Sequence, residues 1–273
     1  MKFRRSERLI DMTNYLLEHP RQLVSLSYFA EKYGSAKSSI SEDLTIIKET
    51  FEQRGIGILQ TLPGAAGGVK YQVKVSDQDA KPFVEELCEL IKKPDRLLPG
   101  GYLYMTDILG DTALVQKVGK LFASAFADTQ IDVVMTVATK GIPLAYAVAN
   151  YLNVPVVMVR RDSKVTEGST VSINYVSGST KRIQTMLLSK RSLEEGSKVL
   201  IVDDFMKAGG TVNGMISLLE EFNAYVAGIA VLVEAEEAEE RLVDDYLSLV
   251  KLSGVDVKEK RISVEMGNYF DHR

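Results

Sequence analysis

The stretch VLIVDDFMKAGGT, Val199 to Thr211, places the tightest constraint on the fold. Four apolar residues run into Asp203 and Asp204. A short loop then ends in Gly209-Gly210-Thr211, and VNGMISLLEEF has the spacing of a helix. An apolar strand entering a helix through so short a turn belongs in a parallel sheet covered on both faces. The acidic pair can accept both hydroxyl protons of a cis-diol such as that of ribose, each bond to a charged acceptor contributing about 1.5–3 kcal/mol. Downstream, the bare amides of Gly209, Gly210 and Thr211 lead into a helix N-terminus, an arrangement that binds phosphate. The helix dipole adds only about 0.3–1 kcal/mol, so directed hydrogen bonds must carry the affinity. The stretch therefore suits a ligand bearing both a diol and a phosphate. Neither the Walker A pattern nor the Rossmann glycine pattern occurs in the chain.

From about Ser76 onward, helices alternate with apolar strands. Helices are expected over Asp79 to Lys92, over Asp111 to Ala127, up to Leu152, and over Thr211 to Phe222. Strands are expected at IDVVMTVA, VPVVMVRR, KVLIVDD and AYVAGIAVLVEA. Ligands of such sheets sit beyond the carboxyl ends of the strands. Polar clusters fall at those ends: Ala138-Thr139-Lys140-Gly141, Arg160-Arg161 and the acidic pair itself. Lys140, Arg160, Arg161 and Lys207, with Mg²⁺ left open, are the charges available to offset a phosphate lying beside two carboxylates. The acidic run EAEEAEERLVDD, Glu234 to Asp245, reads as the solvated face of a helix.

The first 75 residues follow another plan. Arg5 to Glu18 is an amphipathic helix. A short helix from about Ser27 ends at Gly34, and a third, capped by Ser35 or Ser38, carries the seam Ile40, Leu44, Ile47 and Phe51. GIGILQTL and VKYQVKV then form two strands around a Pro-Gly-Ala-Ala-Gly-Gly tip. Three helices and a hairpin are the winged helix-turn-helix order, in which the third helix leads into the DNA major groove. Lys37, Ser38, Ser39 and Ser41 at its start, and the basic cluster Lys2, Arg4, Arg5 and Arg8, are the candidate DNA contacts. The net charge of −4 divides into +3 on residues 1–74 and −7 on the remainder, so the two parts suit different partners. The expected domains are thus 1–75, binding double-stranded DNA, and 76–273, binding an effector.

Composition narrows the remaining classes. One cysteine, Cys88, excludes an internal disulfide, and His19 and His272 are too few for a Cys/His zinc site, so no metal ligands are assigned. With histidines only at the chain's extremes, no nucleophilic triad can be assembled and no catalytic residue is assigned. MKFRRSERLI lacks a secretory core, and no apolar run approaches the roughly 18 residues of a membrane helix. A cytoplasmic protein with no membrane partner is expected.

VLIVDDFMKAGGT resembles the thirteen-residue phosphoribosyl pyrophosphate motif of type I phosphoribosyltransferases, and the likeness extends over roughly residues 100–250. The resemblance implies that Asp203 and Asp204 bind ribose hydroxyls and that the loop from Lys207 to Thr211, with Ala208, Gly209 and Gly210, binds the 5′-phosphate. It further implies that Ala138 to Gly141 is the pyrophosphate loop, that Arg160 and Arg161 are the basic residues after the next strand, and that Asp162 to Arg182 is the mobile active-site loop. Lys207 and Ala208 stand where many of these enzymes have a small residue and Thr. Phe205, ahead of Met206, is larger than the usual aliphatic residue. With a winged helix ahead of it, the whole chain is similar to the bacterial purine operon repressors. That likeness implies a dimeric regulator of purine synthesis genes, with phosphoribosyl pyrophosphate as inducer, the guanine alarmone ppGpp as competitor, and no required cofactor. Phe205 and Tyr102, with Tyr104 as an alternative, are candidates to sandwich a guanine base. An active purine or xanthine phosphoribosyltransferase is the rival reading, and an RNA-binding attenuation protein a third.

Overall fold

The computed structural model describes residues 3–64, 67–162, 165–176, 182–236 and 241–271. Its N-terminal part is built from helices α1 (Arg5–Glu18), α2 (Leu26–Tyr33) and α3 (Lys37–Gln53), followed by the antiparallel strands β1 (Ile58–Leu62) and β2 (Gly68–Gln72). Each helix turns one apolar stripe inward: Met12 and Leu16, Phe29 and Tyr33, and Ile40, Leu44, Ile47 and Phe51 close around Leu59, Val69 and Tyr71. The Ser25 side chain caps α2, accepting from the Tyr28 amide at 3.1 Å. The expected serine cap of α3 is corrected: Ala36 occupies that position without a side-chain bond, so Ser38 lies inside the helix.

An ionic node ties α1 to α3. The Asp43 carboxylate is wholly buried; Oδ1 accepts from Arg5 Nε at 2.8 Å, and Oδ2 from Arg8 Nε and Nη2 at 3.0 and 2.8 Å. Arg8 is thereby spent on the fold, its side chain only 13% exposed. Its place in the fold differs from the expected exposed DNA contact: two of its N–H groups converge on one oxygen of a buried acid, so the guanidinium is already paired within the N-terminal part.

Beyond β2 the chain forms α4 (Asp77–Ile91), the two-residue strands β3 (Leu97–Leu98) and β4 (Tyr102–Leu103), α5 (Thr106–Gly110) and α6 (Thr112–Ala125). Then come β5 (Val133–Val137), α7 (Ile142–Leu152), β6 (Val156–Val159), β7 (Thr170–Val176), β8 (Ile183–Ser189), β9 (Lys198–Met206) and α8 (Gly210–Glu220). β10 (Tyr225–Ala235), β11 (Leu247–Asp256) and β12 (Arg261–Met266) complete the order. The main sheet is six-stranded, in the order β12-β11-β10-β9-β5-β6, parallel except for the antiparallel edge strand β12. Separate apolar clusters cover its two faces, which is why its central strands read as unbroken apolar runs.

Several expectations change. β9 does not stop at the acidic pair but continues to Met206, because β10 stays in register with it through Val231↔Asp203, Val233↔Phe205 and Glu234↔Met206. The stretch Asp162 to Arg182 contains a strand: β7 pairs antiparallel with β8, and Tyr175 and Met186 pack on α8 at Gly214. Ser163, Lys164 and Ser177 to Lys181 lie outside the described residues, as do Lys2, Ala65, Ala66 and His272. The acidic run is not a helix where it is described. Glu234 is a buried residue of β10, and 241–246 is irregular chain; residues 237–240 lie outside the described residues.

The two parts meet through polar bonds at α6 and the turn after it. Gln72 Nε2 donates to the Ala127 carbonyl at 2.7 Å, Arg21 Nη2 to the Thr129 carbonyl at 2.7 Å, and Lys120 Nζ back to the Gly55 carbonyl at 2.9 Å. The Val75 amide donates to Ser124 Oγ at 2.9 Å. Below this seam the apolar contacts change hands between Tyr71, in the N-terminal cluster, and Val73, in the larger one.

The Asp43 node gives a direct test. Asp43→Ala leaves Arg8 inside the fold without its counter-charge, and should destabilise the N-terminal part by about 3 kcal/mol. Urea unfolding followed through the tyrosines of that part measures the loss; a change within about 0.5 kcal/mol would mean the arginines find equal partners in solvent.

Candidate functional site

A cavity of about 620 Å³ opens over the carboxyl end of the sheet. Its floor is the acidic pair and the loop that follows. Residue alternation along β9 turns Asp203 and Asp204 to opposite faces, yet both line the cavity, which opens where the pairing of β9 with β5 has ended at Met135↔Ile201. Asp203 is 5% exposed and its Oδ1 accepts the Asp204 amide at 3.0 Å. The neighbouring loop is fitted to it: a Cβ on Gly141 would lie 2.4 Å from Thr136 Oγ1 and 3.1 Å from Asp203 Oδ1. Glycine at 141 is thus required by close approach.

Burial, and next the charge of Asp204, pushes the Asp203 carboxyl well above the ordinary carboxylate range; the Asp204 amide and the charge of Arg161 oppose this. Burial also raises Asp204, against the hydrogen bond from Asp203, a backbone amide and the charge of Lys140. Two buried carboxyls in contact share a proton rather than ionise together. A diol and a cationic surround favour the fully ionised, doubly accepting form.

Around this floor the predicted residues divide. Tyr102, Thr139, Lys140, Arg161, Phe205, Met206, Lys207, Ala208, Gly209, Gly210 and Thr211 line the cavity with the acidic pair. Ala138 and Gly141 support the loop from behind: the Ala138 amide is bonded to the Val159 carbonyl at 2.8 Å. Arg160 is corrected to a structural place. Its main chain bridges to Leu187, and its Nε meets Glu167 Oε1 at 2.7 Å, so that guanidinium is engaged away from the cavity wall. Gly209 has φ +82°, a left-handed conformation that starts α8 at Gly210 and presents bare backbone to the cavity.

Leading from Arg96 into α5, a small flap roofs the site. Gly100, Gly101, Tyr102, Leu103 and Met105 line the cavity, as do Ala235, Leu252, Gly254, Val255 and Val257 on the opposite side. Arg96 anchors the flap with a fork onto Asp107, both bonds 2.7 Å, and further bonds to the Leu90 and Tyr104 carbonyls at 2.7 and 2.9 Å. Those bonds hold the Asp107 carboxyl below its usual range. Tyr102 is 63% exposed and lines the cavity, whereas Tyr104 is outside the lining. The paired glycines between Leu98 and Tyr102 are a hairpin signal that could have revealed the flap; the β11 wall, wholly aliphatic at the cavity, offered no such signal. Among the described residues no group of three or more His, Cys, Asp or Glu side chains gathers as a metal site, and no helix is long and apolar enough to cross a membrane.

A helical and hairpin module joined to a phosphoribosyltransferase-type sheet defines the class of protein. Residues 4–73 match the family model for the N-terminal domain of the bacterial purine repressor, and residues 105–267 match the phosphoribosyl transferase domain. The adenine phosphoribosyltransferase of Thermoanaerobacter pseudethanolicus superposes with a TM-score of 0.54 at 25% identity, over 62% of this chain and 99% of that one. The purine biosynthesis transcriptional repressor PurR of Bacillus subtilis is 68% identical over 98% of this chain and 94% of that protein. The purine biosynthesis transcriptional activator PurR of Lactococcus lactis is 49% identical over 99% and 100%. The chain belongs to the bacterial purine repressor family.

The raised carboxyl pair has a measurable sign. In the window from about pH 4 up to the raised folded-state value, the folded chain keeps a proton that the unfolded chain has released. Ionising the pair therefore lowers stability progressively as pH rises. Asp203→Asn carries no such burden, so its Tm should exceed that of the parent at about pH 8, with the margin shrinking toward about pH 4.5. A margin independent of pH would show that the pair ionises as ordinary carboxylates do.

Proposed function

We propose that this chain is a DNA-binding transcriptional repressor of purine synthesis genes, in which the cavity senses a ligand instead of catalysing its transfer. Phosphoribosyl pyrophosphate is the inducer, and ppGpp competes for the same cavity. One observation carries the reading: a diol-binding acidic pair, a bare phosphate loop and the cations Lys140, Arg161 and Lys207 converge on one wall, in a chain 68% identical to a named repressor. The ribose hydroxyls bond the Asp203–Asp204 pair, the 5′-phosphate takes the Gly209–Thr211 amides, and the diphosphate lies toward Thr139 and Lys140. Where Mg²⁺ accompanies the ligand, it would add positive charge beside that diphosphate. A guanine ring of ppGpp stacks between Tyr102 and Phe205, both on the cavity wall.

The winged helix presents Lys37, Ser38 and Ser41, all exposed at the start of α3, together with Arg4. Arg5, half exposed, contributes charge although its Nε is bonded to Asp43. Two such modules in a homodimer read two half-sites in the cytoplasm. Ligand releases DNA by favouring a protein state with lower DNA affinity. Support for sensing over catalysis comes from the regulators named above, which match over nearly the whole chain, and from Phe205 and Lys207 at positions where the enzymes carry smaller residues.

Titration of duplex DNA from upstream of a purine gene, with and without phosphoribosyl pyrophosphate, tests the reading. Ligand should weaken the complex. Asp203→Ala combined with Asp204→Ala removes two charge-assisted acceptors, so ligand affinity should fall by on the order of 100-fold or more while DNA binding persists. Steady pyrophosphate release with any purine base would instead establish the transferase. Lys37→Ala should weaken DNA binding uniformly across sequences and reduce the salt slope by about one; an unchanged slope would remove α3 from the interface.

A further inference from the structure

The acidic run that begins at the end of β10 starts with a buried glutamate that the ligand reading does not use. Glu234 is 5% exposed at the end of β10 and its carboxylate is fully served. Oε1 accepts from Ser248 Oγ at 2.6 Å, and Oε2 accepts from Arg241 Nη1 at 2.6 Å and from the Tyr246 hydroxyl. Arg241 Nη2 also donates to the Ala235 carbonyl at 2.9 Å, and its guanidinium lies 5.2 Å over the Tyr246 ring. From the other side Asn268 holds the same segment, donating from Nδ2 to the Tyr246 carbonyl at 2.8 Å. A carboxylate so placed folds the chain from Arg241 to Tyr246 back onto the end of β10.

What that returning segment touches is the phosphate loop. The Leu242 amide donates to the Ala208 carbonyl at 2.9 Å. Val243, 6% exposed, closes on Gly209, where an added Cβ would lie 3.1 Å from Val243 Cγ2. Neither Leu242 nor Val243 lines the cavity, although Ala208 and Gly209 do, so the segment backs the loop. In a planar trans peptide the carbonyl and the amide N–H point in opposite directions. A bond that draws the Ala208 carbonyl toward Leu242 therefore turns the Gly209 N–H away from the segment and into the cavity.

We infer that Glu234 is a positioning residue for anion binding: through the strap Arg241–Val243 it fixes the Ala208–Gly209 peptide with its N–H facing the ligand phosphate. The inference rests on the reading of this cavity as a phosphate site. Its structural half, the strap bond, can be measured without any ligand. Residue 234 contacts no ligand itself; it acts by preorganising a donor that would otherwise pay a reorientation penalty on binding.

The full chain is compared with Glu234→Ala, Glu234→Gln and Leu242→Pro. The last removes the strap's amide while leaving the glutamate and its donors in place. Hydrogen exchange should show the Leu242 amide protected in the parent and exchanging at least roughly tenfold faster in Glu234→Ala, with β9 and β10 amides unchanged. Calorimetry with ribose 5-phosphate should give affinity weakened by roughly tenfold in Glu234→Ala and in Leu242→Pro, the worth of one N–H to a charged acceptor. Glu234→Gln, which retains one acceptor oxygen, should fall between. Unchanged Leu242 exchange in Glu234→Ala, or unchanged ribose 5-phosphate affinity with the strap released, would overturn the inference. So would loss of protection across β9 and β10, which would make Glu234 a general stabiliser of the fold. If the parent itself fails to bind ribose 5-phosphate, the reading of the cavity falls, while the exchange data still decide whether Glu234 sets the strap.

Discussion

Burying an ionisable carboxyl at the heart of a parallel sheet is costly, and the architecture of the C-terminal part is arranged around that cost. Asp203 sits in the central strand β9, with β5 and β10 on either side. Asp203 is almost wholly buried, so its charge depends on its immediate surroundings: a backbone amide, Arg161 and whatever fills the cavity. The charge of neighbouring Asp204 adds to the cost. Poorly solvated groups of this kind cluster at functional sites.

Preorganisation recurs at each wall of the cavity. Arg96 locks the flap through main-chain carbonyls and the Asp107 fork, Gly141 lets a loop lie against Asp203, and the segment after β10 backs Gly209. In each case a contact made outside the cavity sets the path of a segment that lines it. The N-terminal part uses the same device in another role. Asp43 draws two arginines of α1 onto α3, and so fixes the angle at which the exposed residues from Lys37 to Ser41 are offered.

Much of this was legible in the residues themselves. The helices of the N-terminal part and the strands β5, β6, β9 and β10 announce themselves by apolar period, and the acidic pair with its glycine loop identifies one wall of the cavity. Charge, by contrast, was misleading where its partner lay far off in sequence. Arg8 and Arg160 read as phosphate ligands until Asp43 and Glu167 are seen to hold them. The run beginning at Glu234 reads as solvent-facing because acids are usually so. Its first member is buried by donors at 241, 246 and 248, a pattern that no helical or strand period reveals. β11 and β12 escaped for a related reason: their Lys, Asp and Glu residues mask a strand alternation that only pairing makes plain.

At the junction between the two parts, three side chains, Arg21, Gln72 and Lys120, reach across to backbone oxygens of Thr129, Ala127 and Gly55. A carbonyl is the one acceptor that mutation cannot delete. The surfaces on the receiving side can therefore drift in identity without loosening the joint, while the donors cannot. Divergence along this boundary should be lopsided, with long polar side chains retained opposite positions that tolerate almost any residue.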